Sequence, residues 1–286
     1  MTSRLVEFVR RHPRLLKVAR YLQWKRHILS DWAGTHLFKR KTSVKTPFGF
    51  RLVAGQFLAN RLMQAGAFEP EETRLIRRSL DDVDVFVDVG ANIGYYVCLA
   101  RSLGKHVVAF EPQPRNNAYL LQNLEINDWS DVEVFPLALS DEVGVAELFG
   151  SSGPSASMIK GWAGYPSVYR QAVPVNLLDN VIGNRFHGRR LLIKIDVEGV
   201  EYSVLRGAMN LLKNQPRPIW FVEICLHEFH PNGINPNYRD TFGLFFDHGY
   251  RAFAADGDET EITAEDVGRW VARKRCDLPV FNYLMR

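Results

Sequence analysis

The stretch Val85–Val97, "VFVDVGANIGYYV", begins as an apolar, β-branched run and then turns through two glycines. Such a run suits a buried strand. The residues that follow, "IGYYVCLARSLG", have helical spacing and a glycine stop at Gly104. Strand, glycine turn and helix in that order form the first half of a βαβ unit. The turn Gly90-Ala91-Asn92-Ile93-Gly94 departs from the dinucleotide fingerprint G-x-G-x-x-G, whose second glycine lets a pyrophosphate touch the backbone. Asn92 stands in that place. Asparagine tolerates a left-handed backbone, but its side chain hinders the approach of a pyrophosphate. Asp88, two residues before Gly90, would also repel a phosphate. A carboxylate there suits a cationic ligand. S-adenosylmethionine (SAM) carries an ammonium and a sulfonium and has no phosphate.

Working outward, "HVVAFEP" reads as a second strand ending at Pro112, "RNNAYLLQNLEIND" as a helix and "VEVFPLALSD" as a third strand. "LLIKIDVEG" is a fourth strand, followed by the helix "VEYSVLRGAMNLLK", and "PIWFVEI" is a fifth. "FGLFFDHGY" reads as a helix closing at Gly249, with short strands in "YRAFAA" and "VFNYLM". This alternation means a parallel sheet with helices on both faces, whose ligands sit beyond the carboxyl ends of the strands. Asp88, Glu111, Asp196 and Glu223 all fall at or near those ends. An acid at Glu111 can accept both hydroxyls of a ribose, a feature common to NAD and SAM sites. The block Gly150–Ser167, "GSSGPSASMIKGWAGYPS", has loop composition and reads either as a substrate lid or as a passive insertion.

"VFVDVGANIGYY", "VVAFEPQPRNNAYLLQNLEIN", "LALSDEVG" and "LLIKIDVEGVEYSVLRG" together resemble the FkbM-type SAM-dependent methyltransferases. The resemblance runs from about Gly66 to Tyr250, and "GAFEPEE", Gly66–Glu72, is similar to the family's entry segment. It implies an α/β class I methyltransferase (Rossmann-like) fold: a mostly parallel seven-stranded sheet with helices on both faces. It also implies SAM as methyl donor and a hydroxyl on a sugar, glycoconjugate, lipid or polyketide as acceptor. By the same resemblance Asp88, Gly90, Asn92 and Gly94 line the methionine part of SAM, Glu111 holds the ribose, and Ala138, Leu139 and Ser140 lie near the adenine. The chain then divides into a basic arm (1–45), an entry segment packing on the core (46–84) and the SAM-binding domain (85–286).

Methyl transfer from a sulfonium is an in-line displacement, mostly a positioning task. An alcohol acceptor also needs a carboxylate or histidine to take its proton. Asp196 is the first candidate, followed by Glu198, with His227 and Glu223 also eligible. Glu201, one helical turn on, fits a brace for the helix. Lys194, inside a buried strand, needs a charged partner and reads as a structural ion pair or as a direct participant. His227 and His230 in "LHEFHP" either share a face toward substrate or belong to a polar loop. Asp196, Glu198 and Glu223 could converge on a divalent cation, but no metal-ligand spacing is present and no metal is expected.

Composition bounds the rest. A chain of 286 residues, 46% hydrophobic, supports one large α/β domain or two small ones. No run of eighteen apolar residues occurs, so no membrane span is expected, and no signal peptide is expected either. Cys98, Cys225 and Cys276 lie far apart and form no pair motif, which suits a reducing cytoplasm. Residues 1–45 carry twelve Lys/Arg against two acids, whereas the remainder is acidic by six charges. Residues 1–30 read as a basic amphipathic helix, which either packs on the body or touches the anionic inner face of a membrane. A nucleic-acid partner is not expected. Two other readings remain: an NAD-dependent oxidoreductase, disfavoured by Asp88 and Asn92, and a non-catalytic scaffold tethered by the arm.

Overall fold

The computed structural model describes residues 43–53, 58–150, 156–164 and 170–286. The basic helix read at 1–30 and nearly all of the 1–45 arm lie outside the described residues. An antiparallel pair, β1 (Ser43–Lys45) and β2 (Arg51–Val53), comes first. Helices α1 (Leu58–Ala65) and α2 (Pro70–Asp81) follow. Pro70 opens α2, where a missing N–H costs nothing, and Leu75, Ile76 and Leu80 form its buried stripe.

The alternating part runs β3 (Val85–Val89), α3 (Tyr95–Ser102), β4 (His106–Phe110), α4 (Pro114–Glu125) and β5 (Glu133–Phe135). Next come β6 (Ala138–Leu139), β7 (Gly144–Phe149), β8 (Arg170–Asn176) and α5 (Leu178–Val181). The chain then forms β9 (Leu191–Ile195), α6 (Glu201–Arg206), β10 (Ile219–Glu223) and α7 (Tyr238–Asp247). It ends with β11 (Ala252–Ala254), β12 (Glu261–Ile262), α8 (Ala264–Arg273) and β13 (Asn282–Met285). Among the described residues no helix is long and apolar enough to cross a membrane.

The main sheet has the order β12-β11-β13-β10-β9-β3-β4-β5, with β10 to β5 parallel and β13 antiparallel to both neighbours. Seven of these strands answer to the expected class I methyltransferase sheet, and the eighth, β12, is a two-residue edge. The strand read in "VEVFPLALSD" is in fact two. β5 belongs to the main sheet, while β6 leaves it to pair with β8 in a separate sheet of order β6-β8-β7. Pro136 lies between them, and proline has no N–H for a continuing ladder.

Alternation along the strands builds two cores. Val85, Val87 and Val89 pack with Leu205, Phe242, Phe245 and Trp270 on one face. Phe86 packs with Leu75, Val97 and Leu120 on the other. Asp88 and Lys194 stand opposite each other in the β3–β9 register. Asp88 has the same parity as Phe86, so both groups lie on the α2–α3 side, at the carboxyl ends of their strands. The order reverses at β3: β4 and β5 extend to one side and β9 and β10 to the other, and the crevice for a ligand opens at such a switch point.

Candidate active site

A cavity of about 350 Å³ opens at the carboxyl ends of β3, β4, β9 and β10. The glycine loop forms its floor. Gly90 has φ 88°, and a Cβ built there would lie 1.9 Å from the backbone oxygen of Asp196. Loop and β9 are therefore in contact, and only glycine fits. Asn92 is left-handed, at φ 52°, and its N–H donates to Glu111 Oε2 at 2.7 Å. Glu111 Oε1 accepts from Gln113 N at 2.8 Å. Burial pushes the Glu111 carboxyl up to about 7 despite these donors. Gly94 packs α3 against Leu120 rather than lining the cavity.

Behind the loop the charges cluster. Asp88 is 1% exposed, its carboxyl is pushed up to about 6 by burial, and its Oδ1 has no hydrogen-bond partner. Lys194 Nζ stands 4.0 Å from that oxygen, donates to Asp196 Oδ2 at 2.9 Å and lies 5.2 Å from the centre of the Tyr96 ring. Burial opposes its charge, but Asp196, Asp88 and Glu69 outweigh this and hold its pKa above the ordinary lysine value. For Asp196 burial is outweighed by Lys194 and by a hydrogen bond with Glu223, so its carboxyl stays below the usual range. Burial, with the charge of Asp196 next, pushes Glu198 and Glu223 well up.

Glu198 sits in a left-handed turn at φ 57°, fixed from outside. Trp162 Nε1 donates to its Oε2, and Ser157 Oγ donates to its backbone oxygen at 2.6 Å. The Trp162 ring covers Gly199, where a Cβ would fall 2.3 Å from it. Ala163 N donates to the backbone oxygen of Phe229 at 2.7 Å, and the His230 ring meets Trp162 edge-on at 5.4 Å. The described part of the glycine- and serine-rich block is therefore docked against the site.

The other expected residues divide. Ala138 and Leu139 line the cavity with Phe110, Leu137, Leu148 and Met158, an apolar wall. Ser140 does not line it; its hydroxyl donates to Asp141 at 3.1 Å, and its backbone oxygen lies under Gly207. Glu201 accepts from Gly199 N at 2.8 Å and braces the turn, outside the lining. His227 also lies outside it, with Nδ1 2.8 Å from Glu228. One lining acid was not singled out from the sequence. Glu69, just before α2, accepts from Tyr96 Oη at 2.9 Å, and burial, with Asp196 next, pushes it up to about 7. Its only sequence signal is an acid before the proline that opens a helix, within "FEPEE".

A buried carboxylate oxygen without a hydrogen bond, a backbone cradle without room for a Cβ, an acid at Glu111 and an apolar wall fit the charges and shape of SAM. A family model described as the methyltransferase FkbM domain matches residues 88–252. Hexuronic acid methyltransferase AglP of Haloferax volcanii is 27% identical over 168 residues, which are 59% of this chain and 64% of that protein. The chain thus spans less than two-thirds of that relative's length. Among solved structures, the O-methyltransferase from Bacillus cereus in complex with SAH is similar at TM-score 0.44 and 12% identity, covering 90% of this chain and 96% of that one. Precorrin-6y C5,15-methyltransferase from Geobacter metallireducens is similar at TM-score 0.38 and 14% identity, covering 64% and 73%. Likeness at this level says nothing of a shared acceptor.

Proposed function

The chain belongs to the methyltransferase FkbM family, and from that premise we propose that it methylates a hydroxyl oxygen of a sugar or glycoconjugate, with SAM as donor. One observation carries the reading. The donor-side acids Asp88 and Glu111 and three carboxyl groups suited to proton transfer, Asp196, Glu198 and Glu223, line the same cavity. Bound SAM supplies an electrophilic methyl group. Asp88 would accept from its ammonium, Glu111 from its ribose hydroxyls, and Ala138 and Leu139 would cover its adenine. A sugar acceptor is supported by the relative from Haloferax volcanii, which is named for a hexuronic acid. It is also supported by several acids in one cavity, which can accept hydrogen bonds from neighbouring hydroxyls.

Asp196 comes first as proton acceptor in the sequence. Its ion pair with Lys194 keeps it ionised and lowers its basicity. Glu198 has the higher proton affinity and a fixed orientation under Trp162. A more basic carboxylate is the stronger proton acceptor, and Trp162 holds this one in place. We therefore assign the acceptor proton to Glu198 and a positioning hydrogen bond to Asp196; His227 has no part. The test is to supply methyl-labelled SAM with hexosides, uronic acid glycosides, glycolipids and polyketides. Label is expected in the sugar fraction, stable to mild base as an ether. Base-labile label would mean a carboxyl ester, and no transfer to any sugar would remove the acceptor assignment.

A further inference from the structure

Glu69 is built at some cost. Its backbone is left-handed, with φ 41° and ψ 66°, a conformation that strains a residue with a side chain. It occupies the N-cap position of the 12-residue helix α2, yet its side chain makes no cap hydrogen bond to the helix. The carboxylate lines the cavity instead, held by Tyr96 Oη at 2.9 Å. Strain that forgoes a cap and delivers an acid to a cavity marks a ligand-facing residue.

The charge balance says what kind of ligand. Six acids line the cavity: Glu69, Asp88, Glu111, Asp196, Glu198 and Glu223. Among the described lining residues the single cation is Lys194. Its short hydrogen bond goes to Asp196, at 2.9 Å, while Asp88 Oδ1 is buried 4.0 Å away with no hydrogen bond. The Glu69–Asp88 side thus has acceptors to spare and lacks N–H donors. A sulfonium brings charge but no donor, whereas a primary ammonium brings both, with three N–H groups. We propose that Glu69 is a further ligand-binding residue of this site, receiving the primary ammonium of the methyl donor together with Asp88. This rests on the SAM reading above. The entry segment then closes one side of the donor seat.

The test compares a ligand with the ammonium and one without it. Wild type, Glu69→Gln and Tyr96→Phe are titrated at pH 8 with S-adenosylhomocysteine and with 5′-methylthioadenosine, which lacks the amino-acid end. Glu69→Gln should weaken S-adenosylhomocysteine by about tenfold or more, the scale of one charge-assisted hydrogen bond, and leave methylthioadenosine within about twofold. Tyr96→Phe, which frees the Glu69 carboxylate and gives up a 3.4 Å contact with Thr73 Oγ1, should show the same selectivity with a smaller loss. If the Gln variant melts too early to be titrated, Tyr96→Phe decides alone: a selective loss supports the role, and its absence overturns it. Equal loss on both ligands would make Glu69 a structural residue, and no loss on S-adenosylhomocysteine would remove it from the site. A wild type that bound neither ligand would sink the SAM reading, and this proposal with it.

Discussion

Glu111 does two jobs with one carboxylate: it ties Asn92 N and Gln113 N together and still faces the cavity. Replacing it with alanine removes an acceptor from the proposed ribose site and leaves two peptide N–H groups to water. SAM affinity should fall by about 1.5–3 kcal/mol, read by calorimetry. Unchanged affinity would put the ribose elsewhere. Glu198→Gln keeps the Trp162 contact and removes the proposed proton acceptor. Turnover should drop about 10²–10⁴-fold with SAM affinity almost unaltered. Full activity in that variant would return the role to Asp196. Asp88, Gly90, Asn92 and Glu111 were legible in sequence because a strand–turn–helix fixes their places locally. Glu69 was not, since its meaning depends on Tyr96 and Lys194, which reach it only through tertiary packing. Ser140 and His227 show the converse: closeness to a strand end in sequence does not bring a side chain into the cavity.

The turn after β9 and the docked segment 156–164 act as one element, because Trp162 needs the space that Gly199 leaves. Gly199→Ala places a methyl 2.3 Å from that ring, at φ 101°, where a side chain is strained whatever the space. A cost of roughly 1–3 kcal/mol follows from the backbone alone. The melting temperature should fall, and kcat should fall further because Glu198 loses its anchor. A variant with wild-type kcat would show that Trp162 does not position Glu198. Much of this element was hidden in sequence. The run "VEVFPLALSD" has strand character throughout, and only the partner strand β8 shows that its second half leaves the main sheet. β8 exposes alternate residues, and Pro174 lies inside it, which argues against a strand when read in isolation. α8 did carry a local signal: Thr263 and Asp266 form a capping box ahead of the buried Val267 and Trp270.

At the scale of the whole molecule, burying so many acids ties stability to pH. Burial pushes Glu69, Glu111 and Glu201 up to about 7 and Asp88 to about 6. A carboxyl whose folded pKa is raised binds its proton more tightly in the native state. Stability present below the unfolded pKa, about 4.5, is therefore lost as pH rises through about 7. For Glu111 alone this is on the order of 3 kcal/mol. The ligand-free protein should melt at a higher temperature at pH 5.5 than at pH 8, and S-adenosylhomocysteine should flatten the slope. A melting temperature that climbed over that range would contradict the burial account. The division of the cavity wall between two sheets has a different reach. Asp88, Lys194 and Asp196 hang on the main sheet and the β9 turn, whereas Leu148 belongs to the smaller sheet, which has its own core of Ala138, Leu148, Val173 and Val175. Leu148 shares the apolar wall with Ala138 and Leu139, so the smaller sheet backs the apolar end of the cavity and the main sheet its charged end. An ancestor with this architecture can reshape the apolar end of the cavity through its smaller sheet while the charged end stays inherited.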